Sequence, residues 1–405
     1  MNKHQHVFAI VFMVALFGFA IFNVWDKHDE LKTELEAIET PKEMSEAKLY
    51  TASIDTVLTT NLAFDKMWNE TYASIYNVFA KNEENSFKYV RDKNGYMFSG
   101  NFWNVSSVEA KEYALRIKRL EAAVADRETK VIVLLYPTQY NEEWTEGYYG
   151  IPYNDYNEFT DRLLEYFRYY GIEHIDFRDI YLEKELHIED IFYKTDHHWT
   201  TQRAFEGFQI LTEYLNTEHN EGLDSYYIDE NNYIFETHKD VFMGSQGRDA
   251  GMNYVGFDDY TFILPKFETS YDYVYRKGSE NIHVTGDIEE TLISREYLQV
   301  EDYYERDMWK SYIGGIYKYD EITNLRNEEG LNVLFLRDSY TSPLATFFSS
   351  YCNSVNMVWT AQSDPLTIEN VVEAKNYDYI FIAMSVDSFV NDGANFYMYE
   401  EETDE

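Results

Sequence analysis

Three short apolar runs constrain this chain most: Lys130-Val-Ile-Val-Leu-Leu-Tyr136, Asn332-Val-Leu-Phe-Leu336 and Tyr377-Asp-Tyr-Ile-Phe-Ile-Ala383. None shows the polar alternation of a half-exposed strand. Runs this short and this apolar read as strands covered on both faces, the pattern of parallel strands in an α/β sheet. Helical patterns stand between them. Glu109–Asp126 reads as a helix with apolar residues at Leu115, Ile117, Leu120 and Val124, and Asn157–Tyr170 ends at Gly171, a C-cap. Thr201–Asn216 and Ser342–Tyr351 are further helices, and Ile175-Asp-Phe is a short strand. This alternation predicts a three-layer α/β/α domain on a mainly parallel sheet. Ahead of it, Asn94-Gly95 between apolar flanks predicts a hairpin over Tyr89–Phe98. Residues 225–312, rich in Tyr and Asp without a helical period, are expected to form short β segments and loops.

The N-terminus is of a different kind. Val7–Trp25 is apolar throughout except for Gly18 and Asn23. At about 1.5 Å per residue it is just long enough to cross a bilayer core. Lys3 precedes it, and Asp26, Asp29, Glu30, Glu34 and Glu36 follow, so the positive-inside rule places the bulk of the chain outside the cytoplasm. A cleaved signal peptide with Gly18-Phe19-Ala20 as its site is the rival reading. The run continues past Ala20 to Trp25, which favours an uncleaved anchor. From residue 27 to 83 the pattern is helical: Leu31, Leu35 and Ile38 up to Pro41, then Val57, Leu62, Phe64, Met67, Trp68, Ile75 and Phe79. It reads as a stalk or accessory layer without chemistry.

Composition excludes some functions. With 34 basic and 73 acidic residues the net charge is -39, which argues against nucleic acid as a partner, since phosphate binding needs clustered Lys and Arg. The lone Cys352 allows no internal disulfide and reads as a small buried hydrophobe.

Two segments carry chemistry. Thr195-Asp196-His197-His198-Trp199-Thr200 sets a carboxylate two residues before an imidazole, just ahead of a helix. Asp196 then reaches Nδ1 of His198 and leaves Nε2 free, while His197 projects differently. Leu334-Phe335-Leu336-Arg337-Asp338-Ser339-Tyr340 ends a buried strand with an Asp-Ser pair at the edge where open α/β sheets bind ligands. Ser339, His198 and Asp196 are the parts of a nucleophilic triad. The backbone N–H groups of Ser339 and Tyr340 are candidate oxyanion donors at a helix start. Each segment also has a plain structural reading, Ser339 as an N-cap and Asp196 with Thr200 as a polar helix cap. A metal site at Asp196 and His198 is set aside because no third or fourth ligand stands at a recognisable spacing, and no cofactor is implied. Arg337 and Thr341 occupy both glycine positions of the Gly-x-Ser-x-Gly elbow, so the segment is not an α/β-hydrolase elbow. Gly244-Ser245-Gln246-Gly247-Arg248 is a loop in which Arg248 is a candidate to hold a carbonyl or an anion. Gln139, past the end of the Lys130–Tyr136 strand, is placed for a substrate contact.

The block Asp196-His197-His198-Trp199-Thr200 resembles the signature of the bacterial DHHW proteins, which are similar to the SGNH-hydrolase-like domains of alginate O-acetyltransferases. The order of features over residues 87–395 matches: the hairpin Asp92–Phe98, the strand ending Tyr136-Pro137-Thr138, the Asp-His-His-Trp block, Gly244-Ser245 and Asp338-Ser339-Tyr340. The resemblance implies an SGNH-hydrolase-like fold, with Asp196 as orienter, His198 as base and Ser339 as nucleophile. It implies O-acetyl transfer to a cell-surface polysaccharide or oligosaccharide, beside a membrane-bound O-acyltransferase that delivers acetyl. The alternatives are a polysaccharide acetylesterase with the same triad and a non-catalytic glycan-binding or assembly component. Three departures stand out: Arg337 where a glycine commonly precedes Asp-Ser, Gln139 where relatives often carry lysine, and no Gly-x-Asn-Asp segment. The expected organisation is a cytoplasmic tip (1–6), a transmembrane anchor (7–25), helices (26–86), the catalytic domain (87–395) and an acidic tail (396–405).

Overall fold

The computed structural model describes residues 3–38, 47–84, 86–100, 107–153, 155–278, 280–363 and 365–391, in two units, Met1–Phe79 and Ala80–Glu405. The tail expected over 396–405 lies outside the described residues.

The first unit is helical. Lys3–Asp26 is one helix, and within it His6–Asp26 is long and apolar enough to cross a membrane, with a mean hydropathy of 2.6. His28–Ala37, Ala47–Thr60 and Asp65–Val78 follow. Asn23 interrupts the apolar run for a reason visible in the fold. Its side chain accepts the Ala63 N–H at 2.5 Å and donates to the Asn61 carbonyl at 3.3 Å.

The second unit contains all the strands. Its start at Ala80, ahead of residue 87, reflects β1 (Glu83–Glu84) pairing with β2 (Tyr89–Arg91). β2 turns through Gly95, at φ 85°, into β3 (Met97–Ser99). Then come β4 (Lys130–Tyr136), β5 (His174–Asp176), β6 (Tyr233–Phe242), β7 (Asp258–Pro265), β8 (Tyr271–Lys277), β9 (Glu280–Gly286), β10 (Tyr319–Asn324), β11 (Leu331–Arg337), β12 (Cys352–Trp359) and β13 (Tyr379–Ser385). Eight of them form one sheet in the order β5-β4-β13-β11-β12-β10-β8-β9. The first five are parallel, and β10, β8 and β9 add on antiparallel. β6 and β7 pair by themselves. The segment 225–312 thus does form β structure, part of which extends the main sheet.

The apolar runs become the central strands because alternate side chains feed two cores. Ile132, Leu134, Tyr136, Phe335 and Phe381 pack on one face with Trp199, Phe205 and Phe208. Val131, Val133, Leu135, Leu334, Leu336, Ile380 and Ile382 pack on the other, under helices Ser107–Val124 and Asn157–Tyr170. A strand buried on both faces has no polar side to show, hence the continuous apolar runs. The three-layer architecture with a mainly parallel sheet is as expected from the sequence.

Candidate active site

β11 ends at Arg337, and the next two residues turn out of the sheet. Asp338 makes that turn. Its carboxylate accepts the N–H groups of Tyr340 (3.0 Å) and Ser385 (2.7 Å) and the Ser388 hydroxyl (2.7 Å), fastening the loop to the end of β13. Burial pushes the Asp338 carboxyl up, and these hydrogen bonds oppose it. Ser339 is left half-buried at the C-terminal sheet edge, ahead of helix Thr341–Phe348.

The Asp-His-His-Trp block is a tight loop closed by a bridge between Phe192 and Trp199. Asp258, at the start of β7, organises its base by accepting Lys194 N–H (2.8 Å), Thr195 N–H (2.8 Å) and the Thr195 hydroxyl (2.6 Å). Met97 N–H donates to the Lys194 carbonyl at 3.0 Å, so the Asn-Gly hairpin lies along the same loop. Gly244 is required by a close approach: a Cβ there would sit 2.2 Å from Asp196 Cβ and 2.6 Å from Asp196 Oδ2. That approach lets Ser245 N–H donate to Asp196 Oδ2 at 2.7 Å.

The two loops meet at the triad. Asp196 Oδ1 lies 2.5 Å from His198 Nδ1 and also accepts the His198 backbone N–H at 3.0 Å. His198 Nε2 lies 2.6 Å from Ser339 Oγ. Burial alone would raise the Asp196 carboxyl; the charge of His198, then that of His197, and the hydrogen bonds from His198 and Ser245 outweigh it. They hold the carboxyl well below the usual carboxylate range. Two tryptophans lock the arrangement. Trp309 lies flat on His198, with centroids 4.0 Å apart and planes 12° apart, and its Nε1–H donates to the Ser339 carbonyl at 3.1 Å. Trp199 donates from Nε1 to the Tyr340 carbonyl at 3.0 Å. The imidazole is thus held in plane while both carbonyls flanking the loop apex are tied down.

The other candidate residues fall differently. Ser339 N–H has no hydrogen-bond acceptor among the described residues and is free to face an oxyanion. Tyr340 N–H, expected as the second donor, is taken by Asp338, and the Tyr340 hydroxyl donates to the His197 carbonyl. Gln139 is buried and its amide is committed: Nε2–H donates to the Asp196 carbonyl at 2.9 Å and Oε1 accepts from Gln246 at 3.1 Å. It supports the triad loop from below. Arg248 donates to the Met243 carbonyl at 3.1 Å and lies 3.6 Å from Asp307. Arg337 is fully buried, with Nη2 3.0 and 3.1 Å from the two oxygens of Asp320 and Nη1 3.1 Å from Ser342 Oγ. Trp309, Asp258 and Asp320 were not singled out from sequence, because each acts across a long sequence separation with no local motif.

Asp196, His197 and His198 are also the one group of three metal-type ligands among the described residues, their ligand atoms within 4.8 Å of one another. Two atoms bound to one ion at about 2.1 Å each stand roughly 3.4 Å apart in tetrahedral geometry. The 2.5 Å between His198 Nδ1 and Asp196 Oδ1 fits a shared proton and not an ion.

Two hollows lie near the Asp-His-His loop, and Ser339 lines the larger. One, of about 190 Å³, is lined by Ser339, Tyr340, His197, Ile316, Trp359 and Asp387 among others. A smaller one is lined by Phe98, Tyr140, Tyr156, Gln139, His197 and Asp387 among others. His197 and Asp387 line both.

A model of the SGNH hydrolase-like domain of the acetyltransferase AlgX matches residues 91–243. Among solved structures, Bacillus cereus PatB1 is 15% identical, with a TM-score of 0.59 over 77% of this chain and 99% of that one. The same protein with a sulfonyl adduct gives 0.58, also at 15% identity, over 77% and 97%. A DHHW family protein from Eubacterium siraeum is 17% identical, with a TM-score of 0.54 over 76% and 93%. None of the curated proteins matches. The fold is SGNH hydrolase-like. The resemblance to DHHW proteins and to the AlgX domain, read first from the Asp-His-His-Trp block, is borne out by these matches.

Proposed function

We propose that this chain is an O-acetyltransferase acting on a cell-surface polysaccharide, with helix Lys3–Asp26 anchoring it in the membrane and the second unit outside the cytoplasm. The carrying observation is the unbroken relay from Ser339 Oγ through His198 to Asp196, at 2.6 and 2.5 Å. These are distances at which a proton passes from serine to imidazole. The description of the AlgX domain as that of an acetyltransferase supports the same reading.

In this mechanism Ser339 Oγ attacks the acetyl carbonyl carbon and its proton moves to His198 Nε2. Asp196 holds Nδ1–H toward itself and stabilises the imidazolium. Ser339 N–H faces the developing oxyanion. The donor's leaving group departs with the proton from His198, and acetyl remains on Ser339. A sugar hydroxyl then gives its proton to His198 as its oxygen attacks the acyl carbon, and Ser339 Oγ is released to recover that proton. A membrane-bound O-acyltransferase is the proposed source of acetyl. Hydrolysis is the second reading, favoured by the half-exposed position of Ser339, which lets water take the place of the sugar hydroxyl.

The test is release of p-nitrophenol from p-nitrophenyl acetate by the full chain in detergent. Ser339→Ala and His198→Ala each lose the activity by on the order of 10⁴-fold or more, because triad members act as a unit. Asp196→Asn falls between these and wild type. Equal rates for wild type and Ser339→Ala refute both enzymatic readings. With a glycan acceptor present, transfer yields an acetylated sugar and hydrolysis only acetate. Protease added to intact cells removes the second unit if it lies outside; full protection refutes the topology.

A further inference from the structure

The proposed reaction needs an acceptor sugar beside Ser339, and the walls of the two adjoining hollows bear on its chemistry. Among the described residues no Lys or Arg lines either hollow. The charged side chains there are the carboxyls of Asp338 and Asp387. Asp338 is buried and consumed by Tyr340, Ser385 and Ser388. Asp387 is different. It stands in the helix Val386–Asn391, directly after β13, the strand hydrogen-bonded to β11, whose end leads into the Ser339 loop. It lines both hollows, is only partly buried, and among the described residues no donor reaches its carboxyl. Of the aromatic residues lining the smaller hollow beyond it, Phe98 and Tyr156 are buried and Tyr140 is half-exposed, so Tyr140 is the ring against which a sugar can rest at its mouth.

Resting on the acetyltransferase reading, we propose that Asp387 is the acceptor-selecting residue: it takes hydrogen bonds from hydroxyls of an uncharged glycan whose chain passes from Ser339 toward Tyr140, and it turns uronate-bearing glycans away. A hydroxyl donating to a carboxylate makes a charge-assisted bond, stronger than a neutral one. A uronate at the same place meets like charge with no cation lining the hollow to offset it. Burial, and then the charge of Asp338, push the Asp387 carboxyl up to about 7, as expected of a group that has lost water without gaining a partner. Its nearest charged and titratable company is Asp338 and Tyr340, with His197 on the facing wall.

The test compares acetyl transfer from p-nitrophenyl acetate to a neutral chito-oligosaccharide and to an oligouronate of equal length, at pH 8, where Asp387 is ionised. The wild-type full chain prefers the neutral acceptor. Asp387→Asn lowers kcat/KM for that acceptor about tenfold more than it lowers the p-nitrophenol burst, and Asp387→Lys reverses the preference toward the oligouronate. Binding of both oligosaccharides to Ser339→Ala, measured by saturation-transfer NMR, follows the same order without any turnover. A wild type that prefers the oligouronate, treats the two alike or binds neither overturns the proposal, as does an Asp387→Lys variant with unchanged preference. Failure of the underlying enzymatic reading shows separately, as a burst that survives Ser339→Ala.

Discussion

Arg337 departs from the glycine that commonly precedes Asp-Ser, and the structure turns that departure into a measurable claim. Its guanidinium is wholly buried, forked onto both oxygens of Asp320 across strand β12, with one remaining nitrogen on Ser342 Oγ. Asp320 has one further partner, the Tyr273 hydroxyl at 3.0 Å. Asp320→Leu strands the charge of Arg337, which cannot shed its proton, and breaking a buried pair from one side costs about 3–5 kcal/mol. At roughly 2 °C per kcal/mol for a domain of this size, the melting temperature falls by roughly 6–10 °C. Arg337→Met costs less, because burial already pushes the Asp320 carboxyl up and it can take a proton while keeping Tyr273. The double variant Asp320→Leu/Arg337→Met recovers most of the loss, since an apolar pair of similar volume is often neutral or stabilising. It does not recover activity in proportion, because Ser342, in the first turn after Ser339, has lost the donor that fixed it. Urea unfolding followed by tryptophan fluorescence, with p-nitrophenyl acetate turnover on the same samples, reads both effects. A loss under about 1 kcal/mol for Asp320→Leu, or a double variant as unstable as the sum of the singles, refutes the reasoning.

Two further outcomes are expected. Gly244→Ala forces a methyl into Asp196 and withdraws the Ser245 N–H from its carboxylate, so ester turnover falls at least about 100-fold, the scale of a misplacement near 1 Å; unchanged turnover by stopped-flow refutes the close-approach argument. Asp258 and Asp387 are pushed up, to about 6 and about 7, chiefly by burial. A carboxyl whose folded pKa exceeds its unfolded one contributes stability that is fully present below about pH 4 and is lost as pH rises through the folded value. These two groups therefore lower the melting temperature between about pH 4 and pH 7, and Asp387→Asn flattens that slope, as calorimetry across the range will show.

The fold was legible where one strand carries its own signature. Lys130–Tyr136 was readable to the residue because both faces of β4 are buried, and Asn157–Tyr170 because Gly171 closes the helix at φ 66°. β12 and β10 were not. Cys352–Trp359 mixes Asn353, Ser354 and Asn356 among its apolar residues, and those polar groups are satisfied across the sheet, Ser354 by Asn332 and Asn356 by Tyr319. Tyr319–Asn324 alternates, but its inward set includes Asp320, whose burial makes sense only with Arg337 opposite.

The candidate site divides along the same line. The chemical groups were visible because Asp196 and His198 are two residues apart and their pairing is local. Much of the geometry that makes them useful is encoded in the stretch from 225 to 312, which has no period to read. Gly244 opens the space for Asp196, Asp258 ties down the loop beneath it, and Trp309 holds both the His198 ring and the Ser339 carbonyl. A segment that serves by single contacts to distant loops carries no repeated spacing, since each residue answers to a different partner. Low pattern there marks a support whose residues were set one at a time by the triad they surround.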